Sequence, residues 1–236
     1  QERQAELSQK FSENALDATD AFAYYARLDE LEGLPQDVIA AARAAAQAEE
    51  KEGYKLTLKM PSYLPVMQFA SNGRLRESLY RAYVTRASEL GDPALDNTEL
   101  IREILALRQE EARLLGYRSF GELSVVPKMA DSPEEVLSFL RDLAAKAKPY
   151  AQKDLDDLRA FGAKELGIAD PQPWDWSYIG EKLKEARYAF SEQELKKYFT
   201  APKVLAGLFK IVETLFEVSI RRDSAPVWNP GVEFYR

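Results

Sequence analysis

The sequence predicts a mainly α-helical fold, an irregular multi-helix array with a few short β-strands. In residues 72–87 the apolar side chains recur at helical spacing along one face. A second helix signal lies at 132–135, where an N-cap serine precedes a proline and two glutamates. Strict alternation is confined to short runs, of which residues 54–59 form the best strand candidate. No period of 20 to 50 residues recurs, so we do not expect a solenoid of repeats.

In the N-terminal part, we predict a helix over residues 2–23 and an Ala-rich helix over 35–49, with Pro35 in its first turn. Residues 24–28 are either a short strand or a helix end. Because a lone strand needs a partner, we predict that 24–28 pairs antiparallel with 54–59, which stops before Pro61.

Four helices follow. Ser62 is predicted to cap a short helix that includes Pro65. The next helix starts at Asn72 and runs to the break at Gly91; another runs from about Asn97 to Gly116, and a short one covers 119–123. The apolar stripe of the helix from Asn72 consists of Leu75, Leu79, Ala82, Tyr83 and Ala87.

A long helix is predicted from Ser132 to about Gly167, with a kink at Pro149. We expect the following side chains to line its inner face: Val136, Leu137, Leu140, Leu143, Ala144 and Ala147.

Beyond it, the aromatic run 174–179 starts a further helix, two more helices cover about 191–199 and 202–216, and residues 217–221 and 232–235 alternate as strands. We assign residues 1–236 to a single helical region, with a sub-boundary near residue 131.

Composition excludes several classes of protein. The net charge of -7 and the isoelectric point near 5.0 argue against nucleic-acid binding, which depends on clustered Lys and Arg. No apolar run approaches the roughly 20 residues that cross a bilayer, and no signal-peptide pattern is present, so we expect no membrane partner and a cytoplasmic location. The absence of Cys fits a reducing compartment.

The residue types that most enzymes use are missing. Without His there is no zinc-binding His-Glu-x-x-His motif, no Ser-His-Asp triad and no imidazole base, and without Cys there is no thiol nucleophile. Gly-rich phosphate loops are also absent. We therefore assign no catalytic, cofactor-binding or metal-binding residue to this chain.

Two carboxylate groups remain as alternatives. Asp154, Asp156 and Asp157 could hold a hard cation through their oxygens, but their helix is rich in Lys and Arg, which favours a solvated helix face. Glu110 and Glu111 point in different directions on a helix, which disfavours joint acid–base work.

Aromatic side chains form two further groups. Trp174, Trp176 and Tyr178 could stack on a ligand or peptide, or could fix a helix start in the core. A second group, Tyr63, Tyr80 and Tyr83, could stabilise an oxyanion or could simply pack between helices.

Several motifs carry a family resemblance. The run from Tyr54 to Met67, followed by Leu75-Arg76-Glu77, Tyr80 to Ser88 and Glu103 to Arg108, resembles the oligopeptidase A and thimet oligopeptidase-like family of zinc metallopeptidases. Further matches follow in the family's order: Lys128-Met129-Ala130, Pro173-Trp174-Asp175, Tyr198-Phe199 and Val227-Trp228-Asn229-Pro230.

The resemblance implies a part of a two-lobed helical metallopeptidase shell around a deep channel. It implies a parent enzyme that hydrolyses short peptides with zinc held by two His and a Glu, and these ligands fall beyond the position that matches Arg236. We therefore expect an interior fragment that lacks the zinc-binding half, binds no zinc itself, is inactive, and has the remaining half of the parent chain as a partner. The alternatives are a noncatalytic helical peptide- or protein-binding module and an incomplete fold that associates through exposed apolar faces.

Overall fold

The computed structural model describes residues 1–189 and 192–236. It confirms a mainly α-helical fold with a few short antiparallel strands. The α-helices and β-strands in the described residues are, in chain order, α1 Glu2–Ala21, β1 Tyr24–Ala26, α2 Gln36–Gln47, β2 Tyr54–Leu56, α3 Met60–Phe69, α4 Gly73–Val84, α5 Thr98–Leu114, α6 Phe120–Val125, α7 Pro133–Glu165, α8 Trp176–Tyr188, α9 Glu192–Lys196, α10 Ala201–Phe216, β3 Arg222–Asp223 and β4 Phe234–Tyr235.

The chain divides into two compact units, residues 1–184 and residues 185–236. The assignment of the whole chain to one helical region with a sub-boundary near residue 131 stays a prediction.

The core of the first unit lies where β1, β2 and helices α2 to α4 meet. Leu56, Val66 and Leu79 are completely buried there. Gly33 allows the backbone to pass close to Phe69 at the end of α3. Its φ is +89°, and a Cβ at this position would lie 2.2 Å from the carbonyl oxygen of Phe69. This part of the core therefore depends on a glycine at position 33 as well as on buried apolar side chains.

The predicted strand pair is confirmed. Strands β1 and β2 are antiparallel, and Tyr25 lies opposite Lys55. Both strands are shorter than predicted, since β1 ends at residue 26 and β2 at residue 56.

Polar caps fix several predicted helix starts. The Asn72 side chain accepts hydrogen bonds from the backbone N–H groups of Arg74 and Leu75. At α7 the Ser132 hydroxyl accepts from the Glu135 N–H at 3.1 Å, and the Glu135 carboxylate accepts from the Asp131 N–H at 2.7 Å. The first bond makes Ser132 the N-cap of α7, and the second holds the residue before the cap, so the predicted start of α7 is confirmed.

Two boundaries differ from the predictions. Helix α3 starts at Met60, so Ser62 lies inside it and does not cap it; the Ser62 hydroxyl instead accepts from the Thr57 N–H at 2.9 Å. Helix α4 ends at Val84, well before the predicted break at Gly91. Ala87, the last residue of the predicted stripe, has a φ of +49° and cannot continue a right-handed helix.

The predicted inner face of α7 is not buried in this structure. Every residue from 134 to 154 is exposed, including Leu137 (47%), Leu140 (50%) and Leu143 (51%). Val136, Ala144 and Ala147 are exposed as well. The prediction was wrong because periodicity identifies the apolar face of a helix, whereas burial depends on a neighbour that the described residues do not supply.

The second half of α7 is packed. Gly162 is buried against Ile179 of α8, and a Cβ on Gly162 would lie 3.0 Å from the Ile179 Cδ1 atom. The connection from α6 to α7, residues 126–132, is mostly exposed, and the side chain of Met129 is fully exposed. Helix α7 is therefore anchored at its C-terminal end and open at its N-terminal end.

In the second unit, α10 is followed by the antiparallel pair of β3 and β4, and the rings of Phe209 and Tyr235 make an edge contact at 4.7 Å. The first strand was predicted at 217–221 but forms at 222–223. Glu217 adopts a left-handed conformation, and the N–H of Ile220 donates to the Glu213 carboxylate, so these residues form a helix end instead of a strand.

Helix α9 ends at Lys196, earlier than the predicted Phe199, and its predicted start at Ser191 lies outside the described residues. None of the helices in the described part of the chain is both long and apolar enough to span a membrane.

Candidate functional site

A buried ion pair joins α4 to the start of α8. The Arg76 guanidinium is 2% exposed and donates to the Asp175 carboxylate at 2.5 Å and to the Ala70 carbonyl at 2.6 Å. The other carboxylate oxygen of Asp175 accepts from the Gln172 N–H at 2.9 Å. The guanidinium also lies over the ring of Tyr178, 4.3 Å from its centroid. Arg76 thus connects two segments, residues 70–76 and 172–178, that are distant in sequence.

Beside this pair, the structure brings together two aromatic groups that the sequence suggested separately. We call the set Tyr63, Tyr80, Tyr83 and Trp174, with Arg81 and Arg86, the arginine–aromatic cluster. Tyr63 stacks on Tyr83 with ring centroids 4.3 Å apart, and Tyr80 contacts Trp174 at 6.1 Å.

The two arginines lie on aromatic faces. Arg86 lies 3.7 Å from the ring centroid of Tyr83 and donates to the Thr19 hydroxyl at 2.7 Å, and Arg81 lies 5.1 Å from the ring of Trp174. The electron-rich ring faces attract these cations, so the contacts stabilise the junction of α1, α3, α4 and the segment before α8.

Tyr63 is the most perturbed side chain of the cluster. Burial, with a smaller contribution from the neighbouring phenols of Tyr83 and Tyr80, raises its pKa to about 12. Its hydroxyl therefore stays protonated at neutral pH and can donate a hydrogen bond, which is the property that an oxyanion-stabilising tyrosine needs.

The remaining aromatic candidates fix the start of α8 in the core. Tyr178 and Ile179 are buried, and Arg159 of α7 lies 5.7 Å from the ring of Trp176. These contacts favour the packing interpretation of the aromatic run over a ligand-stacking surface.

Two of the carboxylate candidates, Asp156 and Glu111, each have two polar partners. Asp156 accepts from the Gln152 amide at 2.9 Å and pairs with Arg159 at 3.5 Å. Glu111 accepts from the Gln4 amide at 3.1 Å and from Gln1 at 3.3 Å, and these bonds lower its pKa. Neither group has the geometry of a paired acid and base.

A polar cleft of about 460 Å³ lies between α6 and the start of α7. Arg118 and Glu122, which line it, form an ion pair with each other, and the Lys128 ammonium donates to the Ser124 hydroxyl at 2.9 Å. The arginine lowers the pKa of Glu122 through a side-chain hydrogen bond. Because Arg118 is paired with Glu122, and Asp131 and Glu134 also line the cleft with Lys128, the cleft offers an anion little uncompensated positive charge.

A zinc site does not fit the residues of this chain. Zinc in proteins takes imidazole, thiolate or carboxylate ligands, and the sequence contains neither His nor Cys. Among residues 1–189 and 192–236, no three Asp or Glu side chains are grouped where they could hold a metal ion.

Comparison with known proteins decides the family. The model of peptidase family M3 matches residues 66–236, which is most of the chain. This chain belongs to peptidase family M3. The resemblance seen in the sequence is thereby confirmed.

Individual relatives match this M3 chain over nearly its full length. Oligopeptidase A of Salmonella typhimurium is 45% identical over 99% of the chain and 35% of the relative. The organellar oligopeptidase A of Arabidopsis thaliana is 44% identical over 98% of the chain and 30% of the relative. Dipeptidyl carboxypeptidase of Escherichia coli is 27% identical over 98% of the chain and 34% of the relative. The chain thus spans about a third of the length of the curated relatives it matches.

Sequence reasoning missed the ion pair of Arg76 and Asp175 in this M3 segment. A weak signal was present, because Arg76 lies directly beside the core residue Leu75, where a charge is expensive without a partner. The partner is 99 residues away, so no local pattern could have identified it.

Proposed function

We propose that this chain is a segment of a zinc-dependent oligopeptidase that hydrolyses short peptides in the cytoplasm. In this proposal the segment forms part of the shell and channel wall and is inactive by itself, and the rest of the parent chain supplies the zinc ligands. The observation that carries it is the match to family M3 over residues 66–236 in a chain without imidazole or thiolate. The oligopeptidase A names of relatives at 45% identity support a peptide substrate.

The arginine–aromatic cluster and the ion pair of Arg76 and Asp175 fit the role of a rigid wall. Their charges and rings are paired within the protein, so they stabilise the shell and leave no reactive group free.

The direct test is an assay of the purified chain with zinc and an internally quenched fluorescent peptide of about ten residues. We expect no cleavage above the buffer blank, whereas the longer parent chain cleaves the same peptide and loses this activity with a chelator. Chelator-sensitive cleavage by the 236-residue chain alone would overturn the proposed inactivity. An inactive longer parent, folded and loaded with zinc, would overturn the proposed peptidase.

One observation favours a second candidate, a noncatalytic helical module that binds a peptide or protein. The N-terminal half of α7 exposes apolar side chains over residues 134–154. This candidate predicts saturable binding of a labelled peptide by the isolated chain without turnover, measured by fluorescence anisotropy. Binding that persists after Leu140→Glu would exclude α7 as the binding surface.

A further inference from the structure

The chain contains a single Asn-Gly dipeptide, formed by Asn72 and Gly73 at the start of α4. The other three asparagines, Asn14, Asn97 and Asn229, are followed by Ala, Thr and Pro. Because glycine has no Cβ, its backbone nitrogen can reach the preceding side chain with little steric hindrance. In an unfolded chain, Asn72 is therefore the asparagine whose side-chain amide is most open to attack by the backbone.

The reaction that this dipeptide undergoes is deamidation. The Gly73 nitrogen loses its proton and attacks the Asn72 Cγ atom, which closes a five-membered succinimide ring, and the side-chain amino group takes up a proton and leaves as ammonia. One water molecule then opens the ring. Cleavage of the newly formed C–N bond gives aspartate at position 72, and cleavage of the original peptide bond gives isoaspartate, in which the main chain runs through Cβ.

The folded chain holds Asn72 in a geometry that prevents ring closure. Its side-chain oxygen accepts hydrogen bonds from the N–H groups of Arg74 at 3.1 Å and Leu75 at 3.2 Å. In the succinimide ring, the Cβ of Asn72 and the nitrogen of Gly73 lie on the same side of the Cα–C bond. The observed ψ of 102° turns this nitrogen well away from Cβ. The reacting atoms are therefore not aligned for attack, and ring closure requires a large change in ψ.

Arg76 opposes this change in ψ. Its guanidinium donates to the carbonyl oxygens of Ala70 at 2.6 Å and Ser71 at 3.2 Å, while its own backbone belongs to the first turn of α4. The same guanidinium donates to the Asp175 carboxylate at 2.5 Å. We call these contacts of Arg76 the Arg76 clamp. Because rotation at Asn72 moves residues 70–71 relative to α4, it has to break the clamp.

We propose that Asn72 is a deamidation site that the Arg76 clamp keeps closed in the folded chain. Loss of the ion pair between Arg76 and Asp175 opens the site without unfolding the whole chain. Aspartate at position 72 can still cap α4, because aspartate and asparagine are equally good N-caps. Isoaspartate cannot, because its extra main-chain atom displaces the carboxylate from the N–H groups of α4. The proposal does not depend on peptidase activity.

Peptide mass mapping after incubation in mildly alkaline buffer tests the protection. We expect conversion at position 72 to be at least about tenfold slower in native buffer than in urea, because the reaction waits for local opening. The control is Gly73→Ala, whose Cβ would lie 3.5 Å from the nearest guanidinium nitrogen of Arg76, an ordinary contact that the fold accommodates. This variant should lose most of the conversion in urea. Equal conversion of the wild-type chain in buffer and urea, or undiminished conversion of Gly73→Ala in urea, overturns the proposal.

A pair of destabilised variants tests the clamp itself. Asp175→Ala should accelerate conversion at position 72 in native buffer by at least about tenfold, because it releases the guanidinium that holds residues 70–71. The matched control is Leu7→Ala, which removes a buried side chain from α1 and leaves Arg76 and Asp175 in place. It should convert at nearly the wild-type rate.

Circular dichroism establishes that each variant is folded before the rates are compared. If Asp175→Ala does not fold, Asp175→Asn replaces it, since this change keeps the shape of the side chain and removes its charge. Wild-type rates for the Asp175 variant, or equal acceleration by Leu7→Ala, would show that global unfolding and not the clamp controls the reaction, and would overturn the proposal.

Discussion

Two apolar helix faces of this chain look alike in sequence and differ in environment. Leu75 and Leu79 of α4 are buried among β1, β2, α2 and α3, whereas Leu140 and Leu143 of α7 lie in solvent. Both pairs have four- or three-residue spacing on a helix that starts with a polar cap. The difference teaches that an amphipathic pattern specifies which side of a helix is apolar. Whether that side is buried depends on a second element, from elsewhere in the sequence or from another chain.

The largest effect should come from the ion pair that holds the buried region to α8. Asp175→Ala leaves the Arg76 guanidinium charged, buried and without its carboxylate, so we expect the free energy of unfolding to fall by about 3–5 kcal/mol. Urea unfolding followed by circular dichroism measures the loss. The exposed Asp17→Ala is the control and should change stability by less than about 0.5 kcal/mol; a similar small change for Asp175→Ala would mean that the pair contributes little.

A pair of identical substitutions tests the comparison directly. Leu79→Ala opens a cavity in the core and should cost about 2–5 kcal/mol, because α4 cannot collapse onto the space. Leu140→Ala removes the same atoms from a solvated position and should cost less than about 1 kcal/mol. Both losses are measured by urea unfolding at the same protein concentration. Equal losses would show that the N-terminal half of α7 is covered in solution.

Two glycines should respond with opposite signs. Gly33→Ala forces a side chain onto the Phe69 carbonyl at a positive φ, so we expect a loss of more than about 1 kcal/mol. Gly207 lies inside α10 with no atom near the position of a Cβ, so Gly207→Ala should stabilise by about 0.5–1 kcal/mol through helix propensity. Thermal unfolding scans of the two variants give the signs, and a stabilising Gly33→Ala would contradict the close approach seen in the structure.

The smallest effect concerns alkaline pH. The pKa of Tyr63 rises from 10.0 to about 12 on folding, so between these values the unfolded chain loses the proton while the folded chain keeps it. Folding stability should therefore be unaffected by this group below pH 10 and should fall as the pH rises toward 12. Tyr63→Phe removes the titration, so its urea midpoint should fall less than that of the wild type over this interval. Parallel curves for the two proteins would rule out a buried phenol.

Local signals in the sequence were sufficient for most helix starts. Asn72, Ser119 and Ser132 each cap the helix predicted to follow them, because a cap depends only on residues within one turn. Ser62 misled the prediction for the same local reason. Two helix-start signals, Pro61 and Ser62, lie next to each other there. The helix starts at the earlier one, because Pro61 fits the first turn of α3.

Features that depend on distant residues could not be predicted from local patterns. The strand pair was found because two short alternating runs needed each other, but the partner of Arg76 and the contact of Tyr80 with Trp174 join segments that share no local signal. The exposure of the N-terminal half of α7 was also missed, because an apolar stripe does not show whether another element packs against it.

The exposed stretch around Met129 has a practical consequence for handling the protein. A protease would find an exposed connection between α6 and α7, yet a single cut there should not release the downstream piece. In the upstream fragment, Arg76 would still bind Asp175 of the downstream fragment, and Tyr80 would still contact Trp174. Both fragments should therefore co-elute in native size-exclusion chromatography and separate only in denaturant.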